Sequence, residues 1–143
     1  MTVHRHSGGC HCGNIQLEFQ STRPLGEFQP RICDCSFCSK HGVAYVSDPG
    51  GKLIITVQDR RELNSYRQGS GSAEFLICGK CGVLAAVVYS EDGRLYATVN
   101  GKAMENGEAF GQALPVSPWK LGADDKRARW KELWIADVRV NSA

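Results

Sequence analysis

Seven cysteines in a chain of 143 residues fall into three tight groups, and no other feature restricts the fold as strongly. Cys10-His11-Cys12-Gly13 is a C-x-C pair, Cys33-Asp34-Cys35-Ser36-Phe37-Cys38 a C-x-C-x-x-C triplet, and Cys78-Gly79-Lys80-Cys81-Gly82 a C-x-x-C-G knuckle. Two residues between cysteines let both sulfurs face one ion, and a glycine after the second suits the tight left-handed turn of such a knuckle. An isolated free cysteine is commonly a small buried hydrophobe. These groups are instead flanked by glycine, polar and charged residues. An odd count would leave one thiol over in a complete disulfide framework. Residues 1–9 are polar and lack the apolar core of an export signal. A reducing, cytoplasmic setting is therefore expected, where close cysteine pairs indicate metal binding or catalysis.

Seven thiolates divide into four and three. A closed structural zinc site takes four ligands, whereas a catalytic one commonly takes three and keeps a position open. Cys33, Cys35 and Cys38 are contiguous enough to converge on one ion from a single loop. The two pairs, Cys10/Cys12 and Cys78/Cys81, would then clamp a second ion and tie the N-terminus to the middle of the chain. Spacing alone leaves another division open, in which two of the triplet join Cys78 and Cys81.

The rest of the chain reads as mainly antiparallel β, in one domain spanning residues 1–143. Ile15, Leu17 and Phe19, then Leu53, Ile55 and Val57, then Leu95, Ala97 and Val99 recur at the period of half-buried strands. Residues 43–47, 73–77 and 83–89 are further strand candidates, and the last, apolar throughout, suits a central strand. Asp92-Gly93 marks a hairpin turn, and Asp48-Pro49-Gly50-Gly51 breaks another strand pair. The sixteen glycines favour turns and short strands. One short helix is expected over 124–134, with Asp124 as its N-cap. Seventeen basic against fifteen acidic residues give a net charge of +2, too balanced for non-specific nucleic-acid or membrane-surface binding. No apolar run approaches the ~18 residues of a membrane span.

With the motifs in view, Gly8-Gly9-Cys10-His11-Cys12-Gly13, Cys33-Asp34-Cys35-Ser36-Phe37-Cys38-Ser39-Lys40-His41-Gly42 and Ile77-Cys78-Gly79-Lys80-Cys81-Gly82 resemble the glutathione-dependent formaldehyde-activating enzyme family, which includes the centromere protein V type of domain. The resemblance implies a zinc-stabilised β-tent of small antiparallel sheets. It implies a structural zinc on Cys10, Cys12, Cys78 and Cys81, and a second, more labile zinc on Cys33, Cys35 and Cys38, the catalytic group. The implied chemistry is that of a carbon–sulfur lyase joining glutathione and formaldehyde into S-hydroxymethylglutathione. The chain departs from the usual family pattern at Asp34, Ser39 and Lys102, positions around the second metal and a ligand wall.

A tris-thiolate zinc is electron-rich, so it suits the binding of an incoming thiol better than the activation of water. A small thiol such as glutathione is the expected partner. Arg31, Lys40, Arg67 and Lys102 are candidates to pair with its carboxylates, each weighed against an ordinary solvated charge. His41 reads as a surface-turn histidine rather than a proton relay, and His11 as solvated. Trp119, Trp130 and Trp134 read as core packing, with a lid or a homodimer contact as the sharper alternative. Two other function classes remain at this point: a zinc-stabilised binding module without catalysis, and a redox switch built on Cys33, Cys35 and Cys38.

Overall fold

The computed structural model describes residues 2–142. The chain is mainly β and forms two sheets. In chain order the strands are β1 (His4–Gly9), β2 (Ile15–Ser21), β3 (Arg31–Cys33), β4 (Tyr45–Val46), β5 (Lys52–Val57), β6 (Leu63–Tyr66), β7 (Glu74–Cys78), β8 (Leu84–Glu91), β9 (Arg94–Asn100), β10 (Leu114–Val116) and β11 (Asp137–Ser142). Helix α1 (Ser36–His41) follows β3, and α2 (Ala123–Leu133) precedes β11. The smaller sheet has the order β1-β2-β5-β11 and the larger β10-β3-β4-β9-β8-β7-β6. Pairing is antiparallel except for β10 on β3 and β11 on β5, both parallel. No helix among the described residues is long and apolar enough to cross a membrane.

Period-2 alternation sets the main core. Ile15, Leu17 and Phe19 of β2 and Leu53, Ile55 and Val57 of β5 point to one face of the small sheet and pack on Ala86, Val88, Ala97 and Val99 of the large one. All six of the small-sheet side chains are at most 3 % exposed, and each fully buried side chain of this size contributes about 1.5–3 kcal/mol. The opposite face of the large sheet carries Val87 and Tyr89 and is covered by Trp130 and Trp134 at the C-terminal end of α2. Two-sided burial explains why β8 is apolar without alternation. Its partner register runs Leu76↔Ala86 and Ile77↔Leu84, so Ala85 is an extra residue that bulges the strand.

The predicted turns form. Asp92 (φ 52°) and Gly93 (φ 76°) make a two-residue hairpin closed by Glu91 opposite Arg94. At the 48–51 break, Asp48 accepts from the Gly50 N–H at 3.0 Å and from the Ser21 hydroxyl at 2.5 Å.

Several details differ from the sequence reading. Helix α2 begins at Ala123 with Gly122 as N-cap, not at an Asp124 cap. Asp124 and Asp125 lie inside the first turn, where carboxylates favour the positive end of the helix. The 43–47 segment narrows to the two-residue β4. Helix α1, and strands β1, β6, β10 and β11, were not expected. Their sequences are short or polar, and backbone pairing rather than side-chain periodicity holds them. The triplet also differs from a single loop, because it straddles the junction of β3 and α1.

Candidate metal centres and an adjoining cavity

The two distant cysteine pairs meet. The Sγ atoms of Cys10, Cys12, Cys78 and Cys81 all lie within 4.8 Å of one another. Cys10 and Cys12 are 3.7 Å apart, and Cys12 and Cys78 3.5 Å. Zinc–sulfur bonds of ~2.3 Å at tetrahedral angles give a sulfur–sulfur edge of about 3.8 Å, so these separations suit one ion and are far too long for disulfides. All seven cysteines are free. Backbone N–H groups point at the sulfurs: Ile15 N–H at Cys10 (3.2 Å), Lys80 N–H at Cys78 (3.3 Å) and Cys81 N–H at Cys78 (3.5 Å). Such donors favour thiolate over thiol. Gly13 (φ 87°) and Gly82 (φ 80°) close the two turns in the left-handed region, where a side chain would be strained.

The second group is Cys33, Cys35 and Cys38, whose Sγ atoms again lie within 4.8 Å of one another and which are all buried. Cys33 ends β3. Cys35 is the N-cap of α1, its sulfur accepting from the Cys38 N–H at 3.3 Å. One turn of helix thus brings the third sulfur back beside the first two. The donor set fits a metal at both groups: three or four soft sulfurs within 4.8 Å of one another, approached by N–H donors and free of disulfides. The alternative division, with part of the triplet joining Cys78 and Cys81, does not form.

A hydroxyl supports the trio. The Tyr45 Oη lies 3.1 Å from the Cys38 sulfur. Burial, reinforced by the neighbouring sulfurs, raises the Tyr45 phenol. Within the trio the hydrogen bond from Cys38 lowers Cys33 to about 6, while the same contact and burial raise Cys38. Metal ligation requires thiolates, so an ion bound here would displace the proton that Cys38 keeps. The Gln68 side-chain amide approaches Cys35 at 4.0 Å.

The trio lines a cavity of about 200 Å³. Phe75, Val87, Val116 and Tyr45 make much of its apolar wall. Trp130 and Trp134, stacked at 5.0 Å, close it from the helix side. Pro118 and Trp119 sit at the rim with the turn at Gln68, Gly69 and Ser70. Asp34 is turned outward and accepts from the Ser117 hydroxyl and the Trp119 indole, each at 2.6 Å, which fixes the rim over the trio.

Of the four cations offered by sequence as a ligand wall, Arg31 alone lines this cavity. Arg67 pairs with Glu74 at 2.5 Å, and Lys40 and Lys102 are not part of the lining. Sequence reasoning missed Lys126 and Arg129, which line the cavity from α2. Their signal is helical spacing: residues 126, 129 and 130 share one face of the helix, and Trp130 is buried there. His41 is exposed, with its ring 4.7 Å from that of Phe37, and His11 is exposed too; both keep their surface reading. Trp130 and Trp134 serve both core and cavity, while Trp119 is 53 % exposed at the rim.

Paired cysteine clips, a buried cysteine trio and a mainly β frame define a class of small β proteins with two cysteine groups that could each hold a metal ion. Residues 5–114 match the glutathione-dependent formaldehyde-activating enzyme family, and the chain belongs to that family. Among solved structures it is similar to a Rhodobacter sphaeroides protein, at 22 % identity and a TM-score of 0.55, over 76 % of this chain and 99 % of that one. At that identity the likeness concerns the fold alone.

Proposed function

We propose that the protein is a zinc-dependent carbon–sulfur lyase acting on an adduct between a glutathione-like thiol and formaldehyde or a related small carbonyl. The observation that carries this reading is the position of Cys33, Cys35 and Cys38: three buried cysteines lining a largely apolar cavity. Cys10, Cys12, Cys78 and Cys81 would hold a structural zinc away from that cavity, and Cys33, Cys35 and Cys38 a second one beneath it. Zinc at the trio supplies the tendency of a coordinated thiol to lose its proton.

In the synthetic direction a carbon–sulfur bond forms as the carbonyl π bond opens. The thiol proton is lost and the carbonyl oxygen gains one, so the product is the sum of the two reactants. The reverse breaks the same bond. The chain's own residues prepare the ground. Tyr45 donates to Cys38 and fixes the sulfur's orientation, as partners of metal ligands commonly do. Trp130, Trp134 and Val87 give the cavity an apolar wall, which strengthens electrostatic interactions beside it. Binding in the cavity would hold two small reactants in contact, and proximity is the main gain for an addition that already proceeds in water. Seven free thiols without a disulfide fit a reducing compartment such as the cytoplasm.

Formaldehyde consumption in the presence of glutathione tests the proposal, with the uncatalysed addition subtracted. Catalysis above background that Cys35→Ser abolishes supports it. Background rates with zinc-loaded wild-type protein contradict the formaldehyde assignment.

A further inference from the structure

The cations of α2 sort by the face they occupy. Arg127 pairs with Asp124 and donates to the Ser72 hydroxyl at 3.3 Å. Lys131 pairs with Glu91 at 2.9 Å. Lys126 and Arg129, one turn apart on the helix, line the cavity instead. Neither makes a side-chain hydrogen bond or an ion pair among the described residues, where the ion pairs are Arg61–Asp59, Arg67–Glu74, Arg127–Asp124 and Lys131–Glu91. No aspartate or glutamate lines the cavity beside them. The third cation of the lining, Arg31, is engaged by the Ser47 and Thr98 hydroxyls at 2.8 and 3.3 Å.

Burial grades along the cavity. Cys33, Cys35 and Cys38 are buried, Lys126 and Arg129 half-buried, and Trp119 exposed. The sulfurs thus lie toward the inside and the two cations toward the mouth. The Lys126 ammonium reaches from its helix to the turn at Gln68, Gly69 and Ser70, because a β-carbon at Gly69 would stand 3.3 Å from Nζ. Gly69 (φ 62°) leaves that space open, and Arg127 braces the same loop through Ser72. A cation drawn partly out of water with no acid beside it is costly, and an anionic ligand recovers that cost through charge-assisted hydrogen bonds.

We propose that Lys126 and Arg129 bind the carboxylates of the thiol substrate at the cavity mouth while its sulfur points inward to the cysteine trio. The substrate class is a peptide-like thiol whose carboxylates stand several bonds from the sulfur, as in glutathione. The sulfur half of this assignment rests on the reading of the trio given above. A cavity of about 200 Å³ takes the sulfur end of such a molecule and leaves the rest at the mouth, where the cations are. A guanidinium takes a carboxylate through two parallel N–H bonds and an ammonium takes it as a point charge, so the two cations suit two separate carboxylates. Both lie on α2, beyond residues 5–114 that match the family. The match therefore does not assign them.

Calorimetric titration of the zinc-loaded protein tests the subsite. The probes are glutathione, glutathione esterified at both carboxylates, S-methylglutathione and 2-mercaptoethanol. Charge-assisted hydrogen bonds of ordinary strength predict that glutathione binds about tenfold more tightly than its diester. Arg129→Gln and Lys126→Gln should each weaken glutathione severalfold and leave the diester and 2-mercaptoethanol unchanged. Arg129→Lys, which keeps the charge but not the paired N–H bonds, should fall between wild type and Arg129→Gln. Lys126→Gln, at the half-exposed mouth, guards against a folding defect in the arginine variants. Glutathione affinity that ignores both glutamine variants, or an equal loss for the diester, overturns the subsite. If glutathione still outbinds S-methylglutathione in that case, the thiol reading of the trio survives alone. If S-methylglutathione binds as tightly as glutathione and Arg129→Gln weakens both, the subsite stands and the thiol reading falls. No binding of glutathione overturns both.

Discussion

The sulfurs of Cys12 and Cys78 lie 3.5 Å apart although 66 positions separate them in the chain. Cys12 follows β1 and Cys78 ends β7, so one cluster joins an edge of the small sheet to the large one.

Loss of this junction should unfold the protein. Structural zinc supplies apparent folding free energy of ~10–16 kcal/mol in small zinc domains. Cys78→Ser is expected to give insoluble or non-cooperative protein, whereas Cys35→Ser should melt cooperatively and retain about one zinc per chain. Thermal melts and metal analysis of the two variants check this. A stable Cys78→Ser protein with full zinc content contradicts it.

Tyr45→Phe removes the hydroxyl 3.1 Å from Cys38 while keeping the ring. Loss of a partner of a metal ligand typically costs 10–100-fold in metal affinity, and a single hydrogen bond about 1 kcal/mol in stability. Competition with a chromogenic chelator should show the trio's zinc weakened at least tenfold. The structural zinc should be unaffected.

Trp134 is 5 % exposed, stacks on Trp130 and forms part of the roof of the cavity. Trp134→Ala should destabilise the fold by about 3–5 kcal/mol, the usual cost of emptying a large aromatic site. Denaturant titration measures it. A loss under about 1 kcal/mol would mean that the roof is not part of the cooperative core.

Glu91 ties α2 to the end of β8 through Lys131 at 2.9 Å and also accepts from the Tyr89 hydroxyl at 2.8 Å. The hydrogen bond from Lys131, followed by that from Tyr89, holds the Glu91 carboxyl below its ordinary range. A depressed carboxylate contributes stability above its unfolded pKa and loses it as pH falls through the folded one. Acidification should therefore loosen α2, seen as a change in tryptophan fluorescence, and Glu91→Gln should flatten that part of the profile. An unchanged profile in Glu91→Gln would remove the tie from the account.

Much of this organisation was legible in the chain. The cysteine spacings give the three groups, because local turns place the sulfurs within each, whereas the joining of Cys10 and Cys12 to Cys78 and Cys81 depends on sheet contacts across 66 positions. The alternation of Ile15, Leu17 and Phe19 and of Leu53, Ile55 and Val57 gives the faces of β2 and β5. Helix α1 was hidden because its six residues carry no periodic apolar stripe and Cys35 caps them through a sulfur. Strands β10 and β11 were hidden because parallel pairing depends on partners far away in the chain. Lys126 and Arg129 looked like ordinary surface charges of a basic helix. Only the docking of Trp130 against Tyr89, at 5.2 Å between ring centroids, turns that face inward.

Cobalt substitution tests the central claim most directly, because thiolate-to-cobalt absorption reports what enters the metal's surroundings. Two cobalt ions per chain should bind, and a small thiol should change the absorption of one of them. In Cys35→Ser that response should vanish while the spectrum of the four-cysteine centre persists. A spectrum indifferent to thiols in the wild-type protein would contradict the account, leaving both centres closed and the trio purely structural.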